Sequence, residues 1–258
     1  MYPKYVHQIW FDFGKQLESE NNELIHDTRT NILHSEYQYK LWTLNDANVF
    51  IQQHYPYLKH IFTKTMKYDI VKCDLFRYLL MYHFGGMYID LDFALIRSID
   101  DIFSEQSADI VLFEEWHESC NKESNGTEGS LHNGCIISKA NQPFWLRLIM
   151  YIYSNESRIK EKKDVWKISG TNLLRNMYMT HKNEDNIIVH PYVKMCPYIC
   201  ISKETGQCKE CKNNNDIPLN LNESSWKFYD WKYVQKNKTQ FKDSYGVCVH
   251  VGNGSLWT

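Results

Sequence analysis

A helix, a pair of glycines and a short strand ending in two aspartates constrain the fold more than any other part of this 258-residue chain. Apolar residues recur at helical spacing over residues 70–84, and Gly85-Gly86 then predicts the end of that helix. Residues 87–89 predict a strand that runs directly into Asp90-Leu91-Asp92. Alternate side chains of an extended segment point to the same side, so we expect the two aspartates to share one face.

Paired carboxylates at the carboxyl end of a strand predict a site for a hard divalent cation. The alternative is a solvated strand end, because a chain of this length contains about one D-x-D by chance. The preceding strand is apolar, and a charge beside a buried strand is costly without a partner. Asp74 and Arg77 share one flank of the preceding helix. They belong either to the same site or to a surface ion pair worth well under about 1 kcal/mol.

The rest of the chain alternates predicted strands and helices, which is typical of an α/β fold with a largely parallel sheet. Asn45 is the predicted N-cap of a helix over residues 45–55. No repeat and no Pro-, Gly- or Ser-rich linker divides the sequence, so we predict one domain over residues 1–258. The other predicted elements are strands at 4–11, 37–44, 108–113, 134–138, 186–189 and 246–251, and helices at 143–153 and 170–179.

The charge balance argues against a nucleic-acid partner. The 29 Lys and Arg residues nearly balance 31 Asp and Glu residues, whereas nucleic-acid binders carry a strong basic excess. No apolar stretch is long enough for a transmembrane segment. The first ten residues do not resemble a charged-then-apolar leader, so we expect a cytoplasmic protein. The Lys-, Asn- and Tyr-rich composition is typical of an AT-rich genome, and a viral source would place the protein in the host cytoplasm.

Four of the eight cysteines lie close together with the spacing C-x3-C-x7-C-x2-C. Each pair has the spacing of zinc ligands, although the gap between the pairs is short. A structural zinc site, two disulfides and free thiols are the three interpretations of Cys196, Cys200, Cys208 and Cys211. We predict a Cys-rich insertion or appendage at about residues 192–225, remote from the chemistry.

Several segments resemble the DXD-containing sugar transferases of glycosyltransferase family 32. The central match runs from Cys73-Asp74-Leu75-Phe76-Arg77-Tyr78 to Gly85-Gly86-Met87-Tyr88-Ile89-Asp90-Leu91-Asp92. This family includes α-1,6-mannosyltransferases and is related to the glucosylating bacterial toxins. Further matches are the first two strands at 3–10 and 39–42, the acceptor-side strand and helix at 133–138 and 143–145, a T-G-P-like turn at 169–171 with Thr171 in place of proline, and the closing H…S-W element at 250–257.

The resemblance implies a GT-A-type fold, in which helices flank a Rossmann-like sheet that is mixed and mostly parallel. It implies a retaining hexosyltransferase that depends on Mn²⁺ or Mg²⁺. The implied partners are a UDP- or GDP-sugar donor and a glycan, glycolipid or protein acceptor. UDP-galactose, UDP-glucose, UDP-N-acetylglucosamine and GDP-mannose are the donors that stay open.

The resemblance also implies roles at individual positions. Trp10 would stack on the donor base, and Asp74 and Arg77 would hold the donor sugar and diphosphate. Asp90 would meet the ribose and metal-bound water, while Asp92 would bind the metal directly. The implied catalytic residues are Arg77, Asp90 and Asp92; the metal ligands are Asp90, Asp92 and His250, with Ser255 as the rival of His250; and the donor-binding set is Val6, His7, Trp10, Asp74, Arg77, Tyr88, Asp90, Asn133, Ser255 and Trp257.

Two further functions and several plain structural roles compete with this hypothesis. Without an acceptor, the same site would let water attack the donor, which would make the protein a nucleotide-sugar hydrolase. A non-catalytic carbohydrate- or nucleotide-binding module is the third possibility, and the joint presence of four charged motif residues argues against it. A tryptophan on a strand is more often part of the core than a base platform. The residue that supports the retaining face stays open among Glu114, Glu115 and Asn133.

Overall fold

The computed structural model of the chain describes residues 1–12, 19–33, 36–66, 68–115, 131–195, 199–200, 226–227 and 229–250. Within these ranges, strands and helices alternate along much of the chain. The strands are β1 (Tyr5–Trp10), β2 (Gln38–Thr43), β3 (Gly86–Ile89), β4 (Phe93–Leu95), β5 (Ile110–Glu114), β6 (Leu131–Ser138), β7 (Ile187–His190), β8 (Ile199–Cys200), β9 (Trp226–Lys227), β10 (Tyr229–Asp230) and β11 (Gly246–His250). The helices are α1 (Ser19–Leu33), α2 (Leu44–His54), α3 (Asp69–His83), α4 (Ile99–Ser104), α5 (Pro143–Asn155), α6 (Lys162–Ile168), α7 (Thr171–His181) and α8 (Trp231–Lys236).

A six-stranded sheet in the order β2-β1-β3-β6-β5-β7 forms the centre of the fold. Strands β1, β2 and β3 pair in parallel, and β5 pairs in parallel with β7. Strand β6 runs antiparallel to both of its neighbours, β3 and β5. The predicted mixed and mostly parallel sheet is therefore confirmed.

A second sheet of three strands, in the order β10-β11-β4, lies where the chain leaves β3. Strand β4 follows the D-x-D motif directly and pairs antiparallel with β11. Strand β11 also pairs in parallel with the two-residue strand β10. The late strand β11 thus reaches the segment that carries the two aspartates.

Apolar side chains pack on both faces of the six-stranded sheet, as the alternation of side chains along a strand requires. In β3, Tyr88 packs into one core with helices α2, α3, α5 and α7. Its neighbours Met87 and Ile89 pack into the other core, where Ile32 of α1 and Phe103 of α4 cover them. Burial on both faces explains why β3 is an almost uninterrupted apolar run.

The glycine pair between α3 and β3 adopts backbone angles that side chains rarely tolerate, with φ of +65° at Gly85 and +87° at Gly86. A Cβ at Gly85 would lie 2.5 Å from the backbone nitrogen of Ala140, and one at Gly86 would lie 2.4 Å from the carbonyl oxygen of Tyr5. The chain therefore turns and passes other backbone segments at a distance that only glycine allows. This turn sets the direction of β3 and of the aspartates that follow.

The predicted elements agree with the structure over most of the chain, with bounds that differ by a few residues. The predicted N-cap of α2 is wrong: the cap is Thr43, whose side chain accepts from the Asp46 N–H while Asp46 accepts from the Thr43 N–H. This reciprocal capping box explains why the helix begins before Asn45. Helices α1, α4, α6 and α8 were not predicted. No helix in the described ranges is both long and apolar enough to span a membrane.

Candidate active site

The two aspartates of the D-x-D motif lie at the carboxyl end of β3, in the turn that leads to β4. The backbone N–H of Asp90 donates to the carbonyl of Gly134 in β6 at 2.7 Å. The backbone N–H of Val249 in β11 donates to the carbonyl of Asp92, also at 2.7 Å. One strand of each sheet therefore fixes the backbone of the motif. This edge is where open α/β sheets bind their ligands.

Arg77 of α3 is a buried guanidinium at the centre of the site, with 2% of the residue exposed. Its Nη1 donates to the Asn133 carbonyl at 2.7 Å and lies 3.3 Å from Oδ1 of Asp90. Its Nη2 lies 3.4 Å from Oδ1 of Asp74, and the guanidinium stands over the ring of Tyr88. A buried charge persists only with such partners. The alternative of a surface ion pair between Asp74 and Arg77 is therefore wrong.

Asp74 is also buried, and hydrogen bonds hold both of its carboxylate oxygens. Oδ1 accepts from the side-chain amide of Asn133 at 3.0 Å, and Oδ2 accepts from the hydroxyl of Ser169 at 2.7 Å. Burial raises the pKa of Asp74, and the charge of Arg77 and these two hydrogen bonds oppose the rise. The carbonyl of Ser169 in turn accepts from the Tyr78 hydroxyl at 3.0 Å. Asp74 therefore joins α3 to the turn between α6 and α7.

Asp90 keeps 13% of its side chain exposed and so connects the buried cluster with solvent. Its Oδ1 accepts from the Tyr88 hydroxyl at 2.5 Å and faces Arg77. Its Oδ2 lies over Gly134, where an added Cβ would be only 2.4 Å away. A glycine at this position of β6 is therefore needed for the Asp90 carboxylate to take up its place.

A cavity of about 290 Å³ opens beside these charged residues. Four polar residues of the cluster line it: Asp74, Arg77, Asp90 and Asn133. The rest of the lining comes from α3, from α6 and from the turn that follows α6, and it includes an exposed tryptophan. These residues are Ile70, Lys162, Val165, Trp166, Gly170 and Thr171.

The oxygen ligands at this edge fit a hard divalent cation. Asp90 and Asp92 supply carboxylates, and with Asp74 they outnumber Arg77, the one Lys or Arg that is buried in the described part of the chain. Because Gly134 has no side chain, the Oδ2 of Asp90 has room beside β6. Mg²⁺ and similar ions commonly bind through one or two carboxylates and complete their shell with phosphate oxygens and water. In the described part of the chain, no three His, Cys, Asp or Glu side chains form a metal-binding group.

The first-strand residues of the predicted donor site lie in different surroundings. Val6 is fully buried in β1, and His7 is 2% exposed. The Trp42 indole N–H donates to Nδ1 of His7 at 3.1 Å, so the proton of a neutral ring lies on Nε2, 3.1 Å from the Gly85 carbonyl. Trp10 ends β1 and is half-buried. The two nitrogens of His7 are thus bonded within the protein, while donor contacts at all three positions stay predictions.

The remaining predicted ligands fall partly or wholly outside the described residues. His250 is the last residue of β11, and its backbone pairs with Asp230. Ser255 and Trp257 lie outside the described ranges, as do Cys196, Cys208 and Cys211. Cys200 has only its place in β8 described. The His250 ligand, the zinc site and the Cys-rich appendage therefore stay predictions. Glu114 and Glu115 lie half-buried at the end of β5.

Three further residues, to which neither a motif nor the resemblance attached a role, lie at the site. Ser169 bonds to Asp74, Trp166 lines the cavity, and Gly134 makes room for Asp90. The turn at Ser169 and the strand with Gly134 were both among the matched segments, so the resemblance marked their neighbourhood. Helix α6, which carries Trp166, is too short to show a helical period and was missed.

Known proteins are similar to this chain in the region that carries the D-x-D motif. Residues 20–109, which include the D-x-D motif, match a family model described as a glycosyltransferase sugar-binding region containing a DXD motif. Mannosyl phosphorylinositol ceramide synthase CSH1 of Saccharomyces cerevisiae is 34% identical over 102 residues, which are 39% of this chain and 25% of the yeast protein. The chain thus matches about a quarter of the length of that relative.

A second relative and a solved structure match over longer stretches. The uncharacterized glycosyltransferase L373 of Acanthamoeba polyphaga mimivirus is 26% identical over 217 residues, covering 78% of this chain and 79% of the viral protein. The solved structure of the PaToxG glycosyltransferase superposes with a TM-score of 0.51 at 15% identity, covering 71% of this chain and 70% of that one. The predicted resemblance is therefore confirmed: residues 20–109 match the sugar-binding region of the DXD-containing glycosyltransferases, and the chain has the GT-A-type fold.

Proposed function

We propose that this chain is a metal-dependent, retaining glycosyltransferase that moves a sugar from a nucleotide-sugar donor to an acceptor hydroxyl. The observation that carries the proposal is the buried cluster of Asp74, Arg77 and Asp90, which adjoins both the D-x-D turn and a cavity. Structural ion pairs alone do not require a cavity beside them. Charged side chains that converge on a pocket are typical of a ligand site.

Arg77 provides positive charge where the leaving group is expected. Breaking the donor's glycosidic bond builds negative charge on the nucleoside diphosphate, and a fixed guanidinium stabilises that charge without reorganising. The buried Nε of Arg77 has no hydrogen-bond partner among the described residues. Asn133, Asp74 and Asp90 surround the guanidinium and hold it where it lines the cavity.

Asp74 holds the donor sugar by accepting a hydrogen bond. A carboxylate offers about four lone-pair sites. In the described part of the chain, Asn133 and Ser169 take two of them, and Arg77 forms an ion pair with the same carboxylate. The sites that are left suit a hydroxyl of a sugar in the cavity. Because Asp74 is fixed on several sides, the sugar would be held in one orientation.

Asp92 and Asp90 would hold the divalent cation, with Asp92 as the direct ligand. The Oδ1 of Asp90 already contacts Tyr88 and Arg77, which favours binding of Asp90 to the cation through a metal-bound water. His250 or Ser255 would add a further ligand from the C-terminal side. The cation would neutralise the diphosphate as the sugar departs. Mn²⁺ or Mg²⁺ suits this oxygen set.

The base of the donor is proposed to stack on Trp10. This residue is only half-buried and ends β1, at the edge of the sheet where nucleotides bind. Among the four donors considered, GDP-mannose is the first to test, because the yeast relative CSH1 is named a mannosyl phosphorylinositol ceramide synthase. The resemblance implies retention at the anomeric carbon, with Asn133 as the candidate that lines the cavity.

The test is a product analysis of the purified chain with Mn²⁺ and each of the four nucleotide sugars. We expect one donor to be consumed, loss of turnover in Asp92→Asn with an unchanged melting temperature, and loss of turnover in excess chelator. Asp101→Asn is the matched control, because this exposed carboxylate lies on α4. Full turnover in chelator would overturn the metal dependence. Release of free sugar only, whatever acceptor is offered, would favour the hydrolase, and nucleotide binding without turnover would favour the non-catalytic module.

A further inference from the structure

Trp166 is an exposed tryptophan at the cavity of the candidate active site. Its residue surface is 60% exposed, although tryptophan is usually largely buried in a folded protein. It lines the same cavity as Asp74, Arg77 and Asp90. Exposed apolar residues are common and need no explanation when they stand alone. This one stands at a cavity that buried charged side chains also line.

The turn after Trp166 is anchored to the active site. Ser169, three residues later, donates to Asp74 at 2.7 Å, and its carbonyl accepts from Tyr78 at 3.0 Å. Gly170 packs so closely that an added Cβ would lie 3.1 Å from the Cα of Trp166. The indole is therefore carried by a helix that is bonded to the donor-side carboxylate. Such anchoring holds a binding surface in place.

The lining of the cavity offers both kinds of contact that a polyol ring needs. A pyranose or cyclitol has hydroxyl groups around its edge and C–H groups on its faces. Asp74, Arg77 and Asp90 suit the hydroxyls, while Val165 and the indole of Trp166 suit a C–H face. A serine, threonine or lysine side chain of a protein acceptor has no comparable flat apolar face.

We propose that Trp166 is the acceptor platform, and that the acceptor is the sugar or cyclitol ring of a glycan or glycolipid. This inference rests on the proposed glycosyl transfer. The donor diphosphate belongs with the D-x-D turn and Arg77, and the donor sugar with Asp74. The exposed rim at Trp166 is the part of the cavity that an incoming molecule reaches from solvent. Lys162 lies one helical turn before Trp166 and lines the same cavity. It is exposed and able to donate to acceptor hydroxyls.

The experiment separates attack by water from attack by an acceptor. The full chain is incubated with Mn²⁺, the nucleotide sugar that it consumes, and methyl α-mannoside, methyl β-galactoside, myo-inositol or a Ser/Thr peptide. Free sugar measures hydrolysis, and new glycoside measures transfer. The variants are Trp166→Ala, Trp166→Phe and the control Tyr57→Ala, an exposed aromatic side chain that does not line this cavity. The glycoside and inositol arms distinguish a sugar source from a cyclitol source.

We expect Trp166→Ala to raise the acceptor KM about tenfold, as the loss of roughly 50 Å² of apolar contact would do. The ratio of transfer to hydrolysis should fall in Trp166→Ala, Trp166→Phe should restore most of that ratio, and Tyr57→Ala should leave it as in wild type. An unchanged acceptor KM, a parallel loss of hydrolysis and transfer, or transfer to the peptide alone would overturn the proposal.

A binding measurement keeps the platform testable if no donor is consumed, in which case the proposed function itself has failed. Saturation-transfer NMR with the methyl glycosides and myo-inositol reports which ring protons contact the protein. Contact that is present in wild type and Trp166→Phe but lost in Trp166→Ala supports the platform. Equal contact in all variants, or contact in none, overturns it.

Discussion

Acidification should destabilise the protein through His7, whose surroundings require a neutral ring. Burial, more than any other factor, lowers the pKa of His7 from 6.5 to about 4, and Lys40 adds to the shift against the opposing hydrogen bond to the Gly85 carbonyl. Protonation would also remove the Nδ1 acceptor that the Trp42 N–H uses. The Nε2 of His7 contacts the carbonyl of Gly85, in the turn that sets the direction of β3. A charge on the ring would therefore disturb the strand that leads to the D-x-D motif.

The magnitude follows from the difference between the folded and unfolded pKa. Because the folded pKa is the lower one, the stabilisation is present above pH 6.5 and is lost as the pH falls towards 4. A shift from 6.5 to about 4 corresponds to about 3 kcal/mol in all. Between pH 7 and pH 5 the loss is about 2 kcal/mol, because most of the unfolded chains are already protonated at pH 5.

The assay is urea unfolding of wild type, His7→Gln and His60→Gln at pH 7 and pH 5. His60 is exposed and serves as the matched control for removing one histidine. We expect wild type and His60→Gln to lose about 2 kcal/mol more than His7→Gln between the two pH values. The difference between proteins matters here, since the other histidines and carboxylates titrate in all three. Equal losses in all three proteins would refute the neutral, buried state of His7.

Three further substitutions test the site. Gly134→Ala should displace the Asp90 carboxylate, because the new Cβ would lie 2.4 Å from its Oδ2, and calorimetry should then show weaker Mn²⁺ binding. An unchanged Mn²⁺ affinity would contradict the need for glycine at this position. Ser169→Ala should lower the free energy of unfolding by about 1–3 kcal/mol at pH 7, since Asp74 loses a buried donor, whereas the exposed Ser104→Ala should change little; equal values in urea unfolding would refute this. Trp10→Ala should weaken nucleotide binding by roughly 1–3 kcal/mol if the base stacks there, and an unchanged Kd would assign Trp10 to packing alone.

The sequence predicted those elements in which a local pattern decides the structure. The long apolar stripe of α3 and the glycines that end it are local signals, and so is the apolar run of β3. Helices α1 and α6 were missed because neither shows such a stripe: α1 is rich in polar residues, and α6 spans fewer than two full turns. The antiparallel direction of β6 was not predictable, because strand direction depends on the path of the chain between strands.

The candidate site was predictable only as far as neighbours in sequence decide it. The i,i+3 spacing of Asp74 and Arg77 predicted that the two side chains would share a flank of α3. Their burial, and the approach of Asp90 to the same guanidinium, depend on packing of α3 against the sheet. The bond from Ser169 to Asp74 joins segments that are 95 residues apart, so no local pattern announces it.

The pairing of β11 with the D-x-D turn has a consequence for the order in which the site matures during synthesis. Val249, whose N–H donates to the carbonyl of Asp92, is synthesised 157 residues after that aspartate. A nascent chain folds from its N-terminal side first, and distant contacts wait until both segments exist. The ribosome therefore releases Asp92 long before its backbone bond can form, whereas the bond from Asp90 needs only β6. A chain that had not yet reached β11 would display the motif with one of these two backbone bonds missing, and the turn would be completed only when translation had passed β11.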